Sequence, residues 1–563
     1  MSQPNPDYTA WSTAELIRRV TELEAELRAK NSSHTSSPTS DEVSPAYKKK
    51  PKKPVKPFDA SRYHTRLIAL KFAYLGGNYN GFEHHVGNTT PLPTIEEEIW
   101  KALRKTRLIF PDYTGKEGSL SNGLEEGNEE VCWEGVEYSK CGRTDRGVSA
   151  FGQVIGVKVR SLRPKEKPII QDDVETTSVD GESKDTIDEH TTSSFDPIRD
   201  EVPYIQTLNR VLPADIRILA WCPSPPSDFS ARFSCKERRY RYFFSNPAYA
   251  TNPATLNSPD GGDGLLDIEA MRQAAAKYVG LHDFRNFCKV DASKQITNFS
   301  RRVFHAGIHE VVPGQPDAND LSNGAESKPL DVAQPKLYYF EVRGSAFLWH
   351  QVRHLVAVLF LVGQGYEKPS IIDELLDIEK TPAKPHYEMA SDAPLVLWDC
   401  IFPQPDEVKP VEYEQSDGKP FAGYNDSLNW IYVGDERGGR ERNKRFDNVE
   451  DGKYGRNGIM DELWALWRKR KIDEVLADNL MSVVAGLGDV SAVRPNGDSV
   501  EVSSVPESAR VFDGSEKPRA VGKYIPLMKR GCMETPDVVN ARYALRKGWI
   551  TKPATGNASD GDD

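Results

Sequence analysis

The chain has 563 residues, of which 38% are hydrophobic and 28% charged, and a formal net charge of −11. That length suits two or more domains. The net charge counts against nucleic acid as a partner, and the longest apolar run, 355–362, is far too short to cross a bilayer.

The acid is unevenly spread, however. Asp172, Asp173, Glu175, Asp180, Glu182, Asp185, Asp188 and Glu189 crowd one polar stretch, and Asp560, Asp562 and Asp563 end the sequence. Without them the body is less acidic and has local basic faces, which is what RNA responds to. Seven scattered cysteines (Cys132, Cys141, Cys222, Cys235, Cys288, Cys400, Cys532) contain no Cys-x-x-Cys. They read as reduced thiols of the cytoplasm or nucleus, not as a disulfide framework or zinc site. No apolar signal segment opens the chain.

In chain order, Ser12-Thr13-Ala14-Glu15 is a capping box. Leu16, Val20, Leu23 and Leu27 follow at heptad-like spacing, too short a seam to stand alone. After a Ser/Thr/Pro-rich linker, the lysine run 48–53 reads as a nuclear-localisation signal, an RNA-binding arm or a solvated linker. Residues 1–62 thus form a leader.

Folding starts near Thr65. Residues 67–74 read as a buried strand, 76–82 as a glycine-rich turn, and Thr94 begins a helix through Trp100 and Leu103. The fingerprints of dinucleotide and P-loop sites are absent. Next comes Lys140-Cys141-Gly142-Arg143-Thr144-Asp145-Arg146-Gly147-Val148-Ser149-Ala150, a turn that sets one carboxylate between two arginines ahead of a Val/Ile-rich strand. Neighbouring cations keep such a carboxylate ionised, which suits an anionic nucleophile. The acidic segment 164–200 reads as an insertion.

Residues 216–221 read as a strand. In 236–244, alternation puts Tyr240, Tyr242 and Phe244 on one face and Arg239 and Arg241 on the other. This pattern fits either base stacking beside phosphate contacts or an ordinary amphipathic strand. A helix over 267–279 and strands over 301–312 and 337–343 follow, with an insertion near 313–335. Ser345-Ala346-Phe347-Leu348-Trp349-His350-Gln351-Val352-Arg353-His354 then runs into a helix. His350 and His354 have metal-ligand spacing, but no third ligand is evident, so no metal is expected. Beyond 405, Ile459, Leu463, Leu466 and Trp467 suit an amphipathic helix ending at the basic run 468–471. Lys529, Arg530, Arg542, Arg546 and Lys547 form a second basic area with Tyr543 and Trp549.

Gly142-Arg143-Thr144-Asp145-Arg146-Gly147-Val148-Ser149-Ala150, Arg239-Tyr240-Arg241-Tyr242 and Phe347…Val352-Arg353 occur in the order of three motifs of the TruA family of tRNA pseudouridine synthases, which this chain resembles over roughly 66–403. The resemblance implies an α+β fold of two domains, 63–222 and 223–404, with mixed, largely antiparallel sheets around a basic catalytic cleft, followed by an extension over 405–563. It implies that Asp145 is the nucleophile, Arg353 its ion partner and Tyr240 the residue against the target base. Arg143 and Arg146 are expected to meet phosphates or the flipped nucleotide. The 283–289 string, the lysine-rich leader and the extension look most like the eukaryotic branch acting on uridines 38 and 39 of the anticodon arm. The expected partners are tRNA and a second copy of the chain, in nucleus and cytoplasm, with no cofactor. The rival readings are a family enzyme for other tRNA positions or small nuclear RNA, an inactive RNA-binding protein, and a glycosidase or nucleosidase. The last usually pairs two carboxylates, where this motif supplies one.

Overall fold

A computed structural model describes Arg19 and residues 58–87, 90–111, 130–164, 195–249, 264–312, 335–413, 418–419, 421–435, 452–454, 458–485, 487 and 509–549. Apart from Arg19, the leader helix lies outside the described residues, as do the lysine run and most of both insertions.

The element order is β1 (His64–Tyr74), α1 (Ile95–Lys105), β2 (Ser139–Lys140), β3 (Ser149–Ser161), α2 (Tyr204–Asn209), β4 (Ile216–Cys222), β5 (Glu237–Asn246), α3 (Ile268–Ala276), β6 (Gly280–Asp283), β7 (Ser300–Glu310), β8 (Lys336–Gly344), α4 (Gln351–Gly363), α5 (Ile371–Leu376), β9 (Leu395–Ile401), β10 (Ile431–Tyr432), α6 (Ile459–Ala485), β11 (Ala509–Val511), β12 (Arg519–Val521) and α7 (Pro536–Arg546).

Ten strands form one sheet in the order β10-β4-β1-β3-β9-β5-β8-β7-β6, with β2 beside β3. Every described pairing is antiparallel except β3 with β9, where Ser149 faces Val396 and Ala150 faces Leu397. The mixed, largely antiparallel α+β architecture expected from the sequence is therefore present. The parallel pair falls where the Asp145 turn ends, so the turn stands at the seam of the two sheet halves.

Two apolar clusters flank that seam. One packs Phe72, Trp100, Leu103, Val157 and Trp221 around β1, β3 and α1. The other packs Tyr242, Phe340, Leu355, Leu359 and Phe360 around α4 and the β5–β8 half. Helix α1 starts where Thr94 accepts from the Glu97 amide at 3.3 Å. Its first turn is acidic and its last basic, as the helix dipole favours. All thirteen residues of α4 are buried, the signature of a helix sunk in a core. The extension departs from expectation. Helix α6 does not stop at the basic run but continues to Ala485, with Trp464 and Trp467 exposed. Chain 509–549 packs onto the body, with Leu527 fully buried and Phe512 meeting Phe360 at 4.8 Å, and it leaves Lys529, Arg542, Arg546 and Lys547 exposed.

Candidate active site

The Asp145 turn is held from behind by residues that no motif advertises. Gln153, fully buried on β3, accepts from the Gly142 amide at 3.2 Å and donates to the Gly142 carbonyl at 3.0 Å. The Tyr74 hydroxyl and Thr144 Oγ1 are 2.7 Å apart, and the Phe82 amide donates to the Thr144 carbonyl at 3.0 Å. The glycine-rich turn after β1 is the bed of this loop. A Cβ on Gly76 would lie 2.1 Å from the Val148 carbonyl oxygen, and Gly81, at φ +84°, leaves 2.9 Å to the Thr144 carbonyl. Only glycine permits such an approach.

Two side chains from the start of α4 converge on the carboxylate. His350 Nε2 is 3.2 Å from Asp145 Oδ2, and one Arg353 terminal nitrogen is 3.9 Å from the same oxygen. The other terminal nitrogen is 3.8 Å from Asp392, while Nε donates to the Ala390 carbonyl at 2.7 Å. The guanidinium fork is thereby fixed at three points. Burial alone raises the Asp145 pKa, but the His350 hydrogen bond and electrostatics, the Arg353 charge and a bond from the Trp349 indole outweigh it and hold the carboxyl below the usual range. His350 occupies the left-handed region (φ 60°) at the helix N-cap, a conformation that costs a non-glycine residue energy and tends to occur at functional sites.

Asp145, Tyr240 and Arg353 line one cleft of about 800 Å³. Tyr240 stands edge-on to Phe347, ring centres 5.2 Å apart. Burial pushes its hydroxyl well above the ordinary tyrosine value, more than the Arg238 charge lowers it. A platform role suits such a group better than proton abstraction, which needs the opposite shift. Tyr242 and Phe244 belong to the core. On the other face, Arg241 pairs with buried Glu341 at 3.1 Å and lies 3.8 Å over Trp398, while Arg239 pairs with Glu237 at 2.7 Å. Those two arginines serve internal ion pairs, so the amphipathic-strand reading holds for them. The cleft's arginine from this strand is Arg238, which donates to the carbonyls of Ser345 (3.1 Å) and Cys141 (3.0 Å).

The two loop arginines differ. Arg143 lines the cleft, half exposed, 3.1 Å from Glu83. Arg146 is exposed and is not among the cleft-lining residues. The Nε2 atoms of the two histidines face different groups, that of His350 meeting Asp145. His354 Nε2 faces Lys384 Nζ at 3.2 Å, and burial together with that ammonium lowers its pKa to about 2. The second carboxylate near Arg353, Asp392, does not line the cleft. Sequence reasoning weighed His350 only as a metal ligand. Its spacing of three from Arg353 on one helix face is the signal that both could reach Asp145. Trp349, 40% exposed at the cleft with Lys289 Nζ 4.6 Å from its ring centre, was also missed.

Residues 274–403 match the family model described as tRNA pseudouridine synthase. The tRNA pseudouridine(38/39) synthase of Saccharomyces cerevisiae is 39% identical over 553 residues, covering 97% of this chain and 94% of the yeast protein. The likeness therefore reaches beyond 403 into the extension. The Bos taurus protein of the same description is 42% identical over 398 residues, 70% of this chain and 68% of its own. A tRNA pseudouridine synthase A from Methanothrix thermoacetophila is 30% identical over 322 residues, 57% of this chain and 76% of its own. At that identity and coverage, this chain belongs to the TruA-type family of tRNA pseudouridine synthases.

Proposed function

We propose that this chain converts uridine to pseudouridine at positions 38 and 39 of tRNA, in the lower anticodon stem, with Asp145 as nucleophile. The observation that carries the reading is a carboxylate held ionised between His350 and Arg353 on the wall of a nucleotide-sized cleft that also contains Tyr240. The names of the yeast and bovine relatives supply the positions.

The N1 glycosidic bond breaks, the uracil turns, and C5 bonds to the ribose; C5 gives up its proton and N1 takes one up. No atoms are gained or lost overall, so the chemistry calls for no cofactor. Asp145 supplies the anion, Arg353 and His350 hold it in place, and Tyr240 with Phe347 forms a wall for the flipped base. Extruding that base costs a few kcal/mol, least near the loop end of the stem. Lys140, Arg143, Arg232, Arg238, Lys289, Lys294 and Arg301 line the cleft against Asp145 and Asp291, which supports a basic channel that repays the cost through phosphate contacts. Arg143 takes the contact to the flipped nucleotide, and Arg146, outside the cleft, a flanking phosphate. The reading carries with it catalytic halves over 63–222 and 223–404, a homodimer that lays tRNA across both subunits, and residence in nucleus and cytoplasm.

Position-resolved pseudouridine mapping on tRNA, with wild type and Asp145→Asn, tests it. The variant should bind tRNA within a few-fold of wild type and form no product. Equal product from both would reject Asp145 as nucleophile, and product confined to other positions would reject the 38/39 assignment.

A further inference from the structure

Three of the seven cysteines that look scattered in the sequence meet in space. Cys141 opens the Asp145 turn, Cys235 precedes β5, and Cys400 lies on β9, where it faces Arg238 across the strand pair. Their sulfurs all lie within 4.8 Å of one another, all three residues are buried, and none is in a disulfide. Buried cysteines commonly act as small apolar fillers. Filling a core does not require three sulfurs from distant segments to face each other.

We propose that Cys141, Cys235 and Cys400 form a site for one soft divalent cation, zinc in the cell, that ties the catalytic turn to β5 and β9. Zinc–thiolate bonds of about 2.3 Å place tetrahedral sulfurs about 3.8 Å apart, so the observed cluster needs only a small contraction. An all-sulfur donor set selects zinc and its thiophilic relatives over magnesium or calcium. Cys141 and Cys235 also line the active-site cleft, which leaves the fourth position to water from that side. Three thiolates on a divalent ion carry one net negative charge. The Arg238 guanidinium, donating to the Cys141 carbonyl at 3.0 Å, is placed to balance it. Binding forms three S–Zn bonds and releases three thiol protons to solvent. The ion would fix the start of the turn four residues before Asp145, from strands on both sides of the β3–β9 seam. The site stands independently of the isomerase reading.

The test uses the full chain purified under reducing conditions without chelator. Elemental analysis should find about one zinc per chain. Titration with p-hydroxymercuribenzoate should release it to a chromogenic chelator as three thiols react. Cobalt(II) exchanged into the site should show thiolate-to-metal charge-transfer absorption in the near ultraviolet. Cys400→Ser and Cys235→Ser should each lose at least tenfold in zinc affinity, while Cys532→Ser, an exposed cysteine outside the cluster, retains full occupancy. Should the buried variants not fold, release from wild type decides the matter. Wild type without zinc after equilibration with micromolar zinc, zinc retained unchanged in the double variant, or a disulfide within the trio in the reduced protein would each overturn the site.

Discussion

Replacing Arg353 with Met keeps the apolar stem in its buried place and removes the fork. Three contacts vanish: the bond to the Ala390 carbonyl, the contact to Asp392 and the contact to Asp145. A hydrogen bond from a charged donor contributes about 1.5–3 kcal/mol. At 3.9 Å and an effective dielectric of about 20, the Asp145 pair amounts to about 4 kcal/mol before solvent screening. Asp145 is 31% exposed, which reduces this to about 1–2 kcal/mol. The Ala390 bond is buried and intact only in the folded state, so we expect the folded protein to lose about 2–3 kcal/mol in chemical denaturation. Catalysis should suffer differently. His350 and Trp349 still hold Asp145 ionised at neutral pH, so the loss is one of position rather than charge. A displacement of about 1 Å at a reacting group costs about 100-fold. Single-turnover pseudouridine formation should therefore fall at least 100-fold, with tRNA affinity near wild type. Arg353→Lys, which keeps the charge but not the fork, should fall nearly as far. Recovery of the Met variant at high pH, or near-normal turnover in the Lys variant, would refute the positioning argument.

Gly76→Ala brings a Cβ to 2.1 Å from the Val148 carbonyl, whereas Gly77→Ala meets nothing within 4 Å. The first should cost about 1–3 kcal/mol and disturb turnover, and the second should stay within about 0.5 kcal/mol; parallel melting curves and rates separate them. Trp349→Ala, read by fluorescence anisotropy with tRNA, should weaken binding by about 1–3 kcal/mol if a base stacks there. Lys289→Ala should flatten the salt dependence of the same binding by about one counterion. Burial raises the Glu341 pKa, but Arg343 and Arg241 outweigh it and hold the carboxyl below its ordinary value near 4.5. Its stabilising contribution is therefore present above that value and lost as pH falls through the folded-state pKa. Glu341→Gln, which leaves Arg241 buried beside a neutral amide, should cost about 3–5 kcal/mol at pH 7. Its deficit in denaturant titrations should shrink below about pH 4.5; a deficit constant from pH 7 to 3.5 would exclude an ionic origin.

Much of this protein was legible before any coordinates. The turn around Asp145, the strand carrying Tyr240 and the helix carrying Arg353 announce themselves in contiguous residues. Alternation, helical spacing, caps and turn glycines are relations between near neighbours in the chain. The helix that the Arg353 segment enters and the strands around 67–74, 154–159, 216–221, 236–244, 301–312 and 337–343 followed from the same local rules, whereas β6, β9 and β10 did not. Tertiary structure alone decided which distant groups meet. It brought His350 to Asp145, spent Arg239 and Arg241 on ion pairs within the sheet, set Arg238 in the cleft and left Arg146 outside it. It also gathered Cys141, Cys235 and Cys400 from three segments with no shared spacing motif. The reason is the strand order. Pairing β3 with β9 and β9 with β5 joins residues far apart in sequence, and no local periodicity encodes which strands will lie side by side.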